Sequence, residues 1–335
     1  MKHPLLSIVI PTYNRANELR LLLSDLEMII ETHGNRVQVV ICNNASSDAT
    51  RVLVEQYLCT WTTSLKVISR KINLGMEGNI ACAMNEGDGK YVWMLSDHQR
   101  LCIPQVHRAI ELMETLEFDI GHAKVLQWSA VLATRERVVT WDAVPPKQRG
   151  AMLFALGNLS TLIFRREVGQ RTTKSIFRSC FWSYPHLGVI SLIDETTRFV
   201  EFDNMSAFQE GIDGSNLVHD YDKILVRYRS NLMCVEQLCR GAGVIFARSG
   251  FFTANYRASF RGDVLHFLLQ TEVSRSEALR TLGPVILVNP WPLKVIGIFV
   301  LLSVLLVPMN TRIRLARAAK DMFTRHRRQC PLHML

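Results

Sequence analysis

Four short polar clusters contain the side chains that are able to do chemistry in this chain. They are Thr12-Tyr13-Asn14-Arg15, Asn43-Asn44, Asn73 and Asp97, and each follows an apolar run. Hydroxyl, amide and carboxylate groups bind the polar parts of a ligand. In an open parallel sheet, ligands bind outside the carboxyl ends of the strands, where loop backbones and helix N-termini point. We therefore expect the four clusters to meet at one edge of a sheet and to form one site.

Alternating strands and helices are predicted to position these clusters over the first 120 residues. Apolar, β-branched runs predict strands at residues 5–10, 37–42, 65–69 and 91–95. Helical spacing of leucine and isoleucine predicts a helix over residues 17–30 with Asn17 as its N-cap, and further helices begin near residues 48 and 75. This alternation is typical of a parallel sheet covered by helices. No glycine-rich dinucleotide motif or P-loop follows the first strand, so nucleotide phosphates would be held in another way.

Four sequence strings occur in a specific order and spacing. They are Ile-Val-Ile-Pro-Thr-Tyr-Asn-Arg at residues 8–15, Asn-Asn-Ala-Ser-Ser-Asp at 43–48, Asn-Leu-Gly at 73–75 and Tyr-Val-Trp-Met-Leu-Ser-Asp at 91–97. Together they resemble family 2 glycosyltransferases of the GT-A fold, and most of all the bacterial abequosyltransferase and rhamnosyltransferase branch that builds surface polysaccharides. The resemblance covers about the first 110 residues. It implies an α/β fold, with a Rossmann-like, mostly parallel sheet and flanking helices. It also implies inverting transfer of a sugar from a nucleotide-diphosphate sugar to a lipid-linked saccharide.

The resemblance also assigns roles to residues in the four strings. The positions implied to bind the donor nucleotide are Pro11, Thr12, Tyr13, Arg15, Asn43, Asn73, Gly75 and Asp97. Residues 11–13 and Asn43 would shape the base pocket, and Arg15 would lie near the base or a phosphate. Asn73 and Gly75 would let the backbone approach the nucleotide. Asp97 would begin a D-x-D element, which binds the ribose and a divalent metal that bridges the two phosphates.

The D-x-D element departs from the pattern of the family that the chain resembles. The chain reads Asp97-His98-Gln99 where relatives usually have three aspartates, and Asn43 stands where they usually have aspartate. Mg²⁺ and Mn²⁺ prefer carboxylate oxygen, so a site built from Asp97 and His98 would hold a divalent cation weakly. Three alternatives follow. His98 or Gln99 serves as a poorer ligand, a basic side chain replaces the metal, or the chain is a catalytically impaired protein that binds saccharides.

The catalytic base is expected beyond the D-x-D element. Inverting transfer needs a carboxylate or an imidazole within hydrogen-bond reach of the acceptor hydroxyl. The chain has no Glu-Asp pair in this region, where family members often supply an acid. Residues 157–164 and 183–187 resemble the acceptor-side segment of the abequosyltransferase branch. His186 is therefore the first candidate for the base and Asp194 the second, although a histidine after a proline is more often structural.

Composition indicates a globular protein that works in a reducing compartment. Hydrophobic residues make up 48% of the chain, and charged residues make up 21%. The eight cysteines are scattered without a C-x-x-C pair, which favours free thiols over disulfides or a zinc site. Residues 1–7 lead straight into the first predicted strand without an apolar stretch of signal-peptide length. We therefore expect the catalytic domain to lie in the cytoplasm.

The net charge of +9 is concentrated in the C-terminal tail. Residues 309–335 contain seven lysines or arginines and one acid, Asp321, and an apolar run at residues 295–307 precedes them. This run is shorter than the roughly 20 residues of a membrane span. A re-entrant or interfacial segment would place the tail on anionic lipid at the cytoplasmic face of the inner membrane, where a lipid-linked acceptor is held. A buried helix with a solvated tail is the alternative.

These observations divide the chain into three parts. Residues 1–120 are expected to form the nucleotide-sugar-binding half of a GT-A domain, and residues 121–280 the acceptor-binding half. Residues 281–335 are expected to form a helical membrane-associating segment and a basic tail. We expect no nucleic-acid partner, because only the basic tail suggests one.

Overall fold

The computed structural model of the protein describes residues 3–125, 136–145, 156, 159–176, 187–190, 192–209, 298, 302, 306, 308 and 311. The chain divides into two units, which are Met1–Leu217 with Cys234–Phe251, and Val218–Met233 with Phe252–Leu335. The described strands and the helices that flank them all lie in the first unit. The described residues from 298 to 311 lie in the second.

Nine strands within the described residues form one sheet. They are β1 (Leu6–Thr12), β2 (Val37–Asn43), β3 (Leu65–Ser69), β4 (Tyr91–Met94), β5 (Gln99–Leu101), β6 (Ile120–Val125), β7 (Val139–Thr140), β8 (Leu162–Arg165) and β9 (Arg198–Phe208). Their order across the sheet is β3-β2-β1-β4-β8-β6-β9-β5, and β7 pairs with β9.

Helices cover both faces of this sheet. They are α1 (Ala16–His33), α2 (Thr50–Thr60), α3 (Gly75–Ala83), α4 (Ile103–Thr115), α5 (Arg166–Ile176) and α6 (Leu187–Ile190). On one face, Ile8 and Ile10 of β1 belong to a core shared with α1, α2 and α4. On the other, Val9 belongs to a core shared with α3 and α6. Strands β1 and β2 are mainly apolar on both faces, as expected for strands that are covered on both sides. No helix within the described ranges combines the length and the apolar character that a bilayer crossing requires.

The strands β3, β2, β1 and β4 run parallel, which confirms the prediction for this part of the chain. Thr12 lies opposite Asn43 in the β1–β2 pair, and Asn43 lies opposite Ser69 in the β2–β3 pair. The amide of Leu95 extends the β1–β4 ladder by donating to the carbonyl of Val9 at 2.9 Å. The carboxyl ends of the four strands are therefore aligned at one edge, which we call the carboxyl edge.

The complete sheet is mixed, and the prediction of a mostly parallel sheet is wrong for the second half. Strand β8 runs antiparallel to β4 and β6, and β5 and β7 run antiparallel to β9. Strands β6 and β9 are parallel to each other. The change from parallel to antiparallel pairing therefore occurs between β4 and β8. The predicted division at residue 120 therefore runs through one sheet, because β5 precedes residue 120 and pairs with β9 at the far edge.

Helix α1 begins at Ala16 and is preceded by Arg15, so the prediction that Asn17 caps this helix is wrong. The cap comes from Asp48, whose Oδ2 accepts a hydrogen bond from the amide of Ala16 at 3.1 Å. The loop between β2 and α2 therefore supplies an acceptor that the segment before α1 does not. Asp48 is 32 residues from Ala16, and a helix cap formed by so distant a residue cannot be predicted from local sequence.

A buried carboxylate fixes β5 to α1. Arg100 donates from Nε and Nη2 to the two oxygens of Asp25, each at 2.7 Å. The amide of Leu101 also donates to Asp25 Oδ2, at 2.9 Å. Bidentate pairs of this kind set orientation as well as distance. They hold in place the strand that directly follows Asp97 and His98.

The cysteines within the described residues are free thiols, namely Cys42, Cys59, Cys82 and Cys102. Burial raises the pKa of Cys42 to about 12. Cys42 therefore stays protonated and acts as a small apolar side chain in β2.

Candidate active site

The ends of β1 and β4 are joined by a buried hydrogen bond. The Thr12 hydroxyl donates to Asp97 Oδ2 at 2.8 Å. Thr12 is 2% exposed and Asp97 is 8% exposed. Nδ1 of His98 lies 3.3 Å from the other carboxylate oxygen, Oδ1. The carboxylate is thereby fixed in orientation before any ligand arrives.

Asn44 joins the end of β2 to the segment that follows β3. Its Nδ2 donates to Asn73 Oδ1 at 2.8 Å and to the carbonyl of Gly75 at 3.0 Å. Its Oδ1 accepts from the amide of Leu74 at 2.9 Å, and its own amide donates to the carbonyl of Thr12 at 3.0 Å. Gly75 has a φ of 76°, a conformation that side chains with a Cβ disfavour. This set of hydrogen bonds, which we call the Asn44 clamp, fixes the backbone of residues 73–75.

The four polar clusters predicted to meet at one edge do so. Hydrogen bonds connect Thr12 to Asp97, Asn44 to Thr12, and Asn44 to Asn73 without a break. Asn44 belongs to one of the predicted clusters, but roles were predicted only for Asn43 and Asn73, and Asn44 makes more of the hydrogen bonds within the site. The doubled asparagine at the end of a strand marks the position, but it does not show which of the two side chains joins the loops.

Two residues in left-handed conformation shape the loops after β1 and β2. Asn14 has a φ of 52° and Ala45 a φ of 61°. Asn14 Oδ1 accepts a hydrogen bond from the amide of Ser47 at 2.8 Å, and the amide of Asn14 donates to Ser46 Oγ at 2.9 Å. Asparagine tolerates the left-handed region better than most residues, which explains its presence at position 14. The two loops are therefore locked to each other.

Asp48 caps two helices at once, because it accepts from Ala16 at the start of α1 and from the amide of Thr50 at 3.0 Å at the start of α2. Burial alone would raise the pKa of Asp48, but the hydrogen bonds from Thr50 and Ala16 outweigh it and lower the pKa below its ordinary value. The ionised form is therefore the one that the folded loops favour.

Replacement of Asp48 with alanine is expected to lower the free energy of unfolding by about 1 to 2 kcal/mol, since two N-terminal helix caps are lost together. A lowered carboxyl pKa stabilises the fold above the unfolded-state value and ceases to do so as the pH falls. The difference between wild type and Asp48→Ala should thus shrink below about pH 4. Chemical denaturation at several pH values measures it. Asp48→Asn, which keeps one acceptor oxygen, should be intermediate, and equal stability of all three proteins would exclude the double cap.

Asn43 and Arg70 lie side by side at the ends of β2 and β3. The amide of Arg70 donates to the carbonyl of Asn43 at 2.9 Å, and Asn43 Oδ1 accepts from the amide of Ser46 at 3.0 Å. Among the described residues, Nε and Nη2 of Arg70 are buried without a hydrogen-bond partner, and Nη2 lies 3.9 Å from Glu86 Oε1. A ligand would contact these donors only if the Arg70 side chain changed its conformation. Arg70 was not among the predicted site residues, although its position directly after a predicted strand is a signal for it.

Tyr13 and Arg15 form the rim of the site beside β1. Tyr13 is 43% exposed, so its ring is open to a ligand. Nη1 of Arg15 donates to Glu18 Oε1 at 2.9 Å, and the amide of Arg15 donates to Thr50 Oγ1 at 3.3 Å. Pro11 lies within β1, opposite Cys42. All three residues are at the carboxyl edge, and their roles toward a nucleotide stay predictions.

The D-x-D element is a poor fit to a hard divalent cation. Asp97 supplies its one carboxylate, and the side-chain oxygen and nitrogen of the fully buried Gln99 have no hydrogen-bond partner in the part of the chain that the structure describes. Within the described ranges, no group of three or more histidine, cysteine or acidic side chains is placed to hold a metal ion. Mg²⁺ and Mn²⁺ favour several oxygen ligands, mainly carboxylates. Asp97 and His98 together therefore fall short of the usual donor set.

The segment after α4 brings a second group of residues to β4. Strand β8 pairs antiparallel with β4, and the indole of Trp93 donates to the carbonyl of Ser160 at 2.8 Å. Ser160 Oγ accepts from the amide of Ser96 at 3.1 Å. Residues 159–164 of the segment that resembles an acceptor-binding region thus contact the residue just before Asp97.

The two candidates for the catalytic base differ in what the structure says of them. His186 lies outside the described residues. Asp194 lies just before the start of β9, whereas the other end of that strand pairs with Gln99 near Asp97. Eleven residues of strand span about 30 Å, so Asp194 is not brought together with Asp97. Its Oδ1 instead accepts from Thr196 and Thr197, and the hydrogen bond from the Thr196 side chain is the main cause of its lowered pKa.

Comparison with a family model decides the assignment of the first half of the chain. Residues 7–164 match the model described as Glycosyl transferase family 2. Residues 7–164 belong to glycosyl transferase family 2. This family 2 segment contains β1 to β7 and all four polar clusters, and its assignment confirms the resemblance predicted from the four strings.

Two curated relatives match parts of the family 2 segment. The dolichyl-phosphate β-glucosyltransferase of Saccharomyces cerevisiae is 24% identical over 145 residues, which is 42% of this chain and 43% of the relative. The abequosyltransferase RfbV of Salmonella typhimurium is 27% identical over 97 residues, which is 29% of each chain. The aligned region spans less than half the length of either relative.

A solved structure shares the fold over most of the chain. Residues 1–349 of S. aureus TarS, crystallised in complex with UDP-GlcNAc, superpose with a TM-score of 0.51. The sequence identity is 15%, and the superposition covers 95% of this chain and 92% of the TarS chain. The mixed α/β sheet is therefore of the type found in GT-A glycosyltransferases.

Proposed function

We propose that the chain transfers a sugar from a nucleotide-diphosphate sugar to a lipid-linked saccharide, in the synthesis of a cell-surface polysaccharide of the O-antigen or capsule type. The observation that carries the proposal is the unbroken run of hydrogen bonds from Asp97 through Thr12 and Asn44 to Asn73. It lies at the carboxyl edge of a family 2 segment, where α/β sheets bind ligands. The similarity to an abequosyltransferase supports the polysaccharide context.

The shape of the edge supports an elongated donor. Arg70 and Asn43 follow β3 and β2, whereas Asp97 follows β4, and three strand spacings of roughly 4.8 Å separate the outer two of these strands. The resulting length of about 14 Å suits a nucleoside diphosphate better than a compact ligand. In this proposal the base lies by Asn43 and Arg70, the ribose and diphosphate lie toward Asp97, and Gly75 lets the backbone approach between them.

The proposed reaction is a single inverting displacement. A base takes the proton of the acceptor hydroxyl, its oxygen forms the new bond to the anomeric carbon, and the bond to the nucleoside diphosphate breaks on the opposite face. We keep His186 as the proposed base, because Asp194 is engaged in a turn at the far end of β9. A divalent cation would bind weakly at Asp97 and His98, so donor binding is proposed to depend little on metal.

Membrane attachment is proposed for the second unit. Ile298, Leu302 and Leu306 have helical backbone and are 43%, 44% and 73% exposed. A spacing of four residues is typical of one side of a helix, and the basic tail follows in the sequence. An exposed apolar row next to basic residues is the pattern of an interfacial helix on anionic lipid. This arrangement would hold the chain at the cytoplasmic face of the inner membrane, peripherally or by a re-entrant segment.

A thermal-shift screen of UDP-, GDP-, dTDP- and CDP-sugars tests the proposed function. A donor present at about 100 times its dissociation constant should stabilise the fold by about 2.7 kcal/mol, because it binds only the native state. We expect one nucleotide class to raise the melting temperature, with similar shifts in Mn²⁺ and in EDTA. Incubation of that donor with lipid-linked acceptors should then release the nucleoside diphosphate.

Two results would redirect the proposal. Stabilisation by a donor without hydrolysis or transfer to any acceptor would favour the catalytically impaired, saccharide-binding alternative, which the single carboxylate of the D-x-D element suggests. No stabilisation by any sugar nucleotide, with or without Mn²⁺, would contradict the proposal.

A further inference from the structure

A run of exposed residues follows β3 and leads into α3. All of residues 71–76 are exposed, and we call them the 71–76 segment. Three of them are large and apolar, with Ile72 68% exposed, Leu74 38% and Met76 47%. Single exposed apolar side chains need no explanation, but three within five residues form a patch. The patch is therefore a candidate for contact with another molecule.

The backbone under this patch is held rigidly. The Asn44 clamp bonds to the amide of Leu74, the carbonyl of Gly75 and the side chain of Asn73. Asn73 Oδ1 also accepts from the amide of Gly75 at 2.8 Å. The apolar side chains therefore project from a loop whose conformation is fixed by intramolecular hydrogen bonds before any partner binds.

A basic side chain lies at the start of the patch. Lys71 is exposed, whereas Arg70 before it is partly buried and lies near Glu86, and Glu77 follows Met76 at the other end. The second unit carries the same combination, with the apolar row at residues 298, 302 and 306 ahead of the basic tail. Apolar side chains insert below lipid headgroups while lysine and arginine pair with anionic phosphates. One kind of surface, an anionic bilayer, thus suits both places.

The shortness of the segment favours a bilayer over a large protein partner. Stable protein interfaces use about 20 to 30 residues on each side, so the six residues of the 71–76 segment would not form one by themselves. A bilayer makes no such demand, since a few inserted side chains add to an anchor elsewhere in the chain. We propose that the 71–76 segment is a second membrane contact that presents the carboxyl edge of the catalytic unit to the lipid surface. This proposal rests on the proposed function, because it places the donor site next to a lipid-linked acceptor.

Partition of the full-length protein onto vesicles tests this contact. The variant pair is Ile72→Asp with Met76→Asp, and the matched control is Met28→Asp with Val52→Asp, at side chains of α1 and α2 that are 52% and 58% exposed. Both pairs make the same charge change. On phosphatidylcholine vesicles that contain phosphatidylglycerol, the first pair should lower the partition coefficient about tenfold, whereas the control should stay within about twofold of wild type.

The outcomes separate this inference from the proposed function. Equal partition of wild type and Ile72→Asp/Met76→Asp would overturn the membrane contact. If the variant kept its partition but lost donor-induced thermal stabilisation, the apolar side chains would lie against the nucleotide, and the membrane contact would be overturned. If its sole defect were a loss of self-association on sedimentation, the membrane contact would also be overturned. A selective fall in partition supports the contact, even if no sugar nucleotide stabilises the wild-type protein and the proposed function fails.

Discussion

Transfer activity is expected to fall by at least about a hundredfold when Asp97 is replaced by alanine, a loss of about 2.7 kcal/mol or more in transition-state stabilisation. The carboxylate is 8% exposed and is oriented by the Thr12 hydroxyl, so it meets a ligand in one fixed geometry. Its removal takes away the single acid of the D-x-D element. Initial rates of nucleoside diphosphate release, measured with the donor identified by thermal shift, give the effect.

Two further variants show whether the loss belongs to the site or to the fold. Asp97→Asn keeps the shape and an acceptor for Thr12 but removes the charge, so it should be as inactive as the alanine variant while unfolding like wild type. Thr12→Val removes the hydroxyl and leaves the carboxylate, and it should lose less activity. Asp97→Ala leaves the buried Thr12 hydroxyl unpaired, which costs about 1 kcal/mol of stability. Full activity of a folded Asp97→Ala protein would remove Asp97 from the site.

Replacement of Asn44 with aspartate is expected to weaken donor binding about tenfold and to destabilise the protein by about 2 to 3 kcal/mol. The substitution preserves size and keeps an acceptor for the amide of Leu74. It also puts an oxygen where Nδ2 now lies, 2.8 Å from Asn73 Oδ1 and 3.0 Å from the carbonyl of Gly75. A buried carboxylate oxygen would then face two other acceptor oxygens, and repulsion between them would move the backbone of residues 73–75.

The measurements are donor titration by thermal shift and denaturant unfolding. Asn35→Asp is the matched control, because it makes the same change at an exposed asparagine before β2 and away from the carboxyl edge. It should bind donor and unfold like wild type. If Asn44→Asp matched Asn35→Asp in both measurements, the clamp would have no part in shaping the site.

The first half of the fold was predictable because its signals are local. Each of β1 to β4 is a short apolar run that stops at polar residues, and parallel pairing follows from the helices between them. The positions of Thr12 and Asp97 at a shared edge follow from that pattern alone. The prediction needed no knowledge of how the side chains are bonded.

The second half depends on pairing between distant segments. Strand β9 joins β6, β7 and β5 in both directions, and nothing in the pattern of residues 198–208 specifies those partners. The Asn44 clamp was missed for a related reason. It spans about thirty residues and depends on the register that sets Asn43 opposite Ser69, which only the assembled sheet defines. The cap that Asp48 forms on α1 is a third feature that depends on contact between distant segments.

The mutual locking of the loops after β1 and β2 also restricts where the chain can be lengthened. Surface loops usually accept extra residues, because little besides their two ends is constrained. Here each of the residues Ser46, Ser47 and Asp48 forms a hydrogen bond with residue 14 or 16. One residue inserted after Ala45 would therefore move all three away from their hydrogen-bond partners. Epitope tags and fluorescent fusions should therefore be placed elsewhere, and the exposed turn at residues 62–63 after α2 is a suitable position.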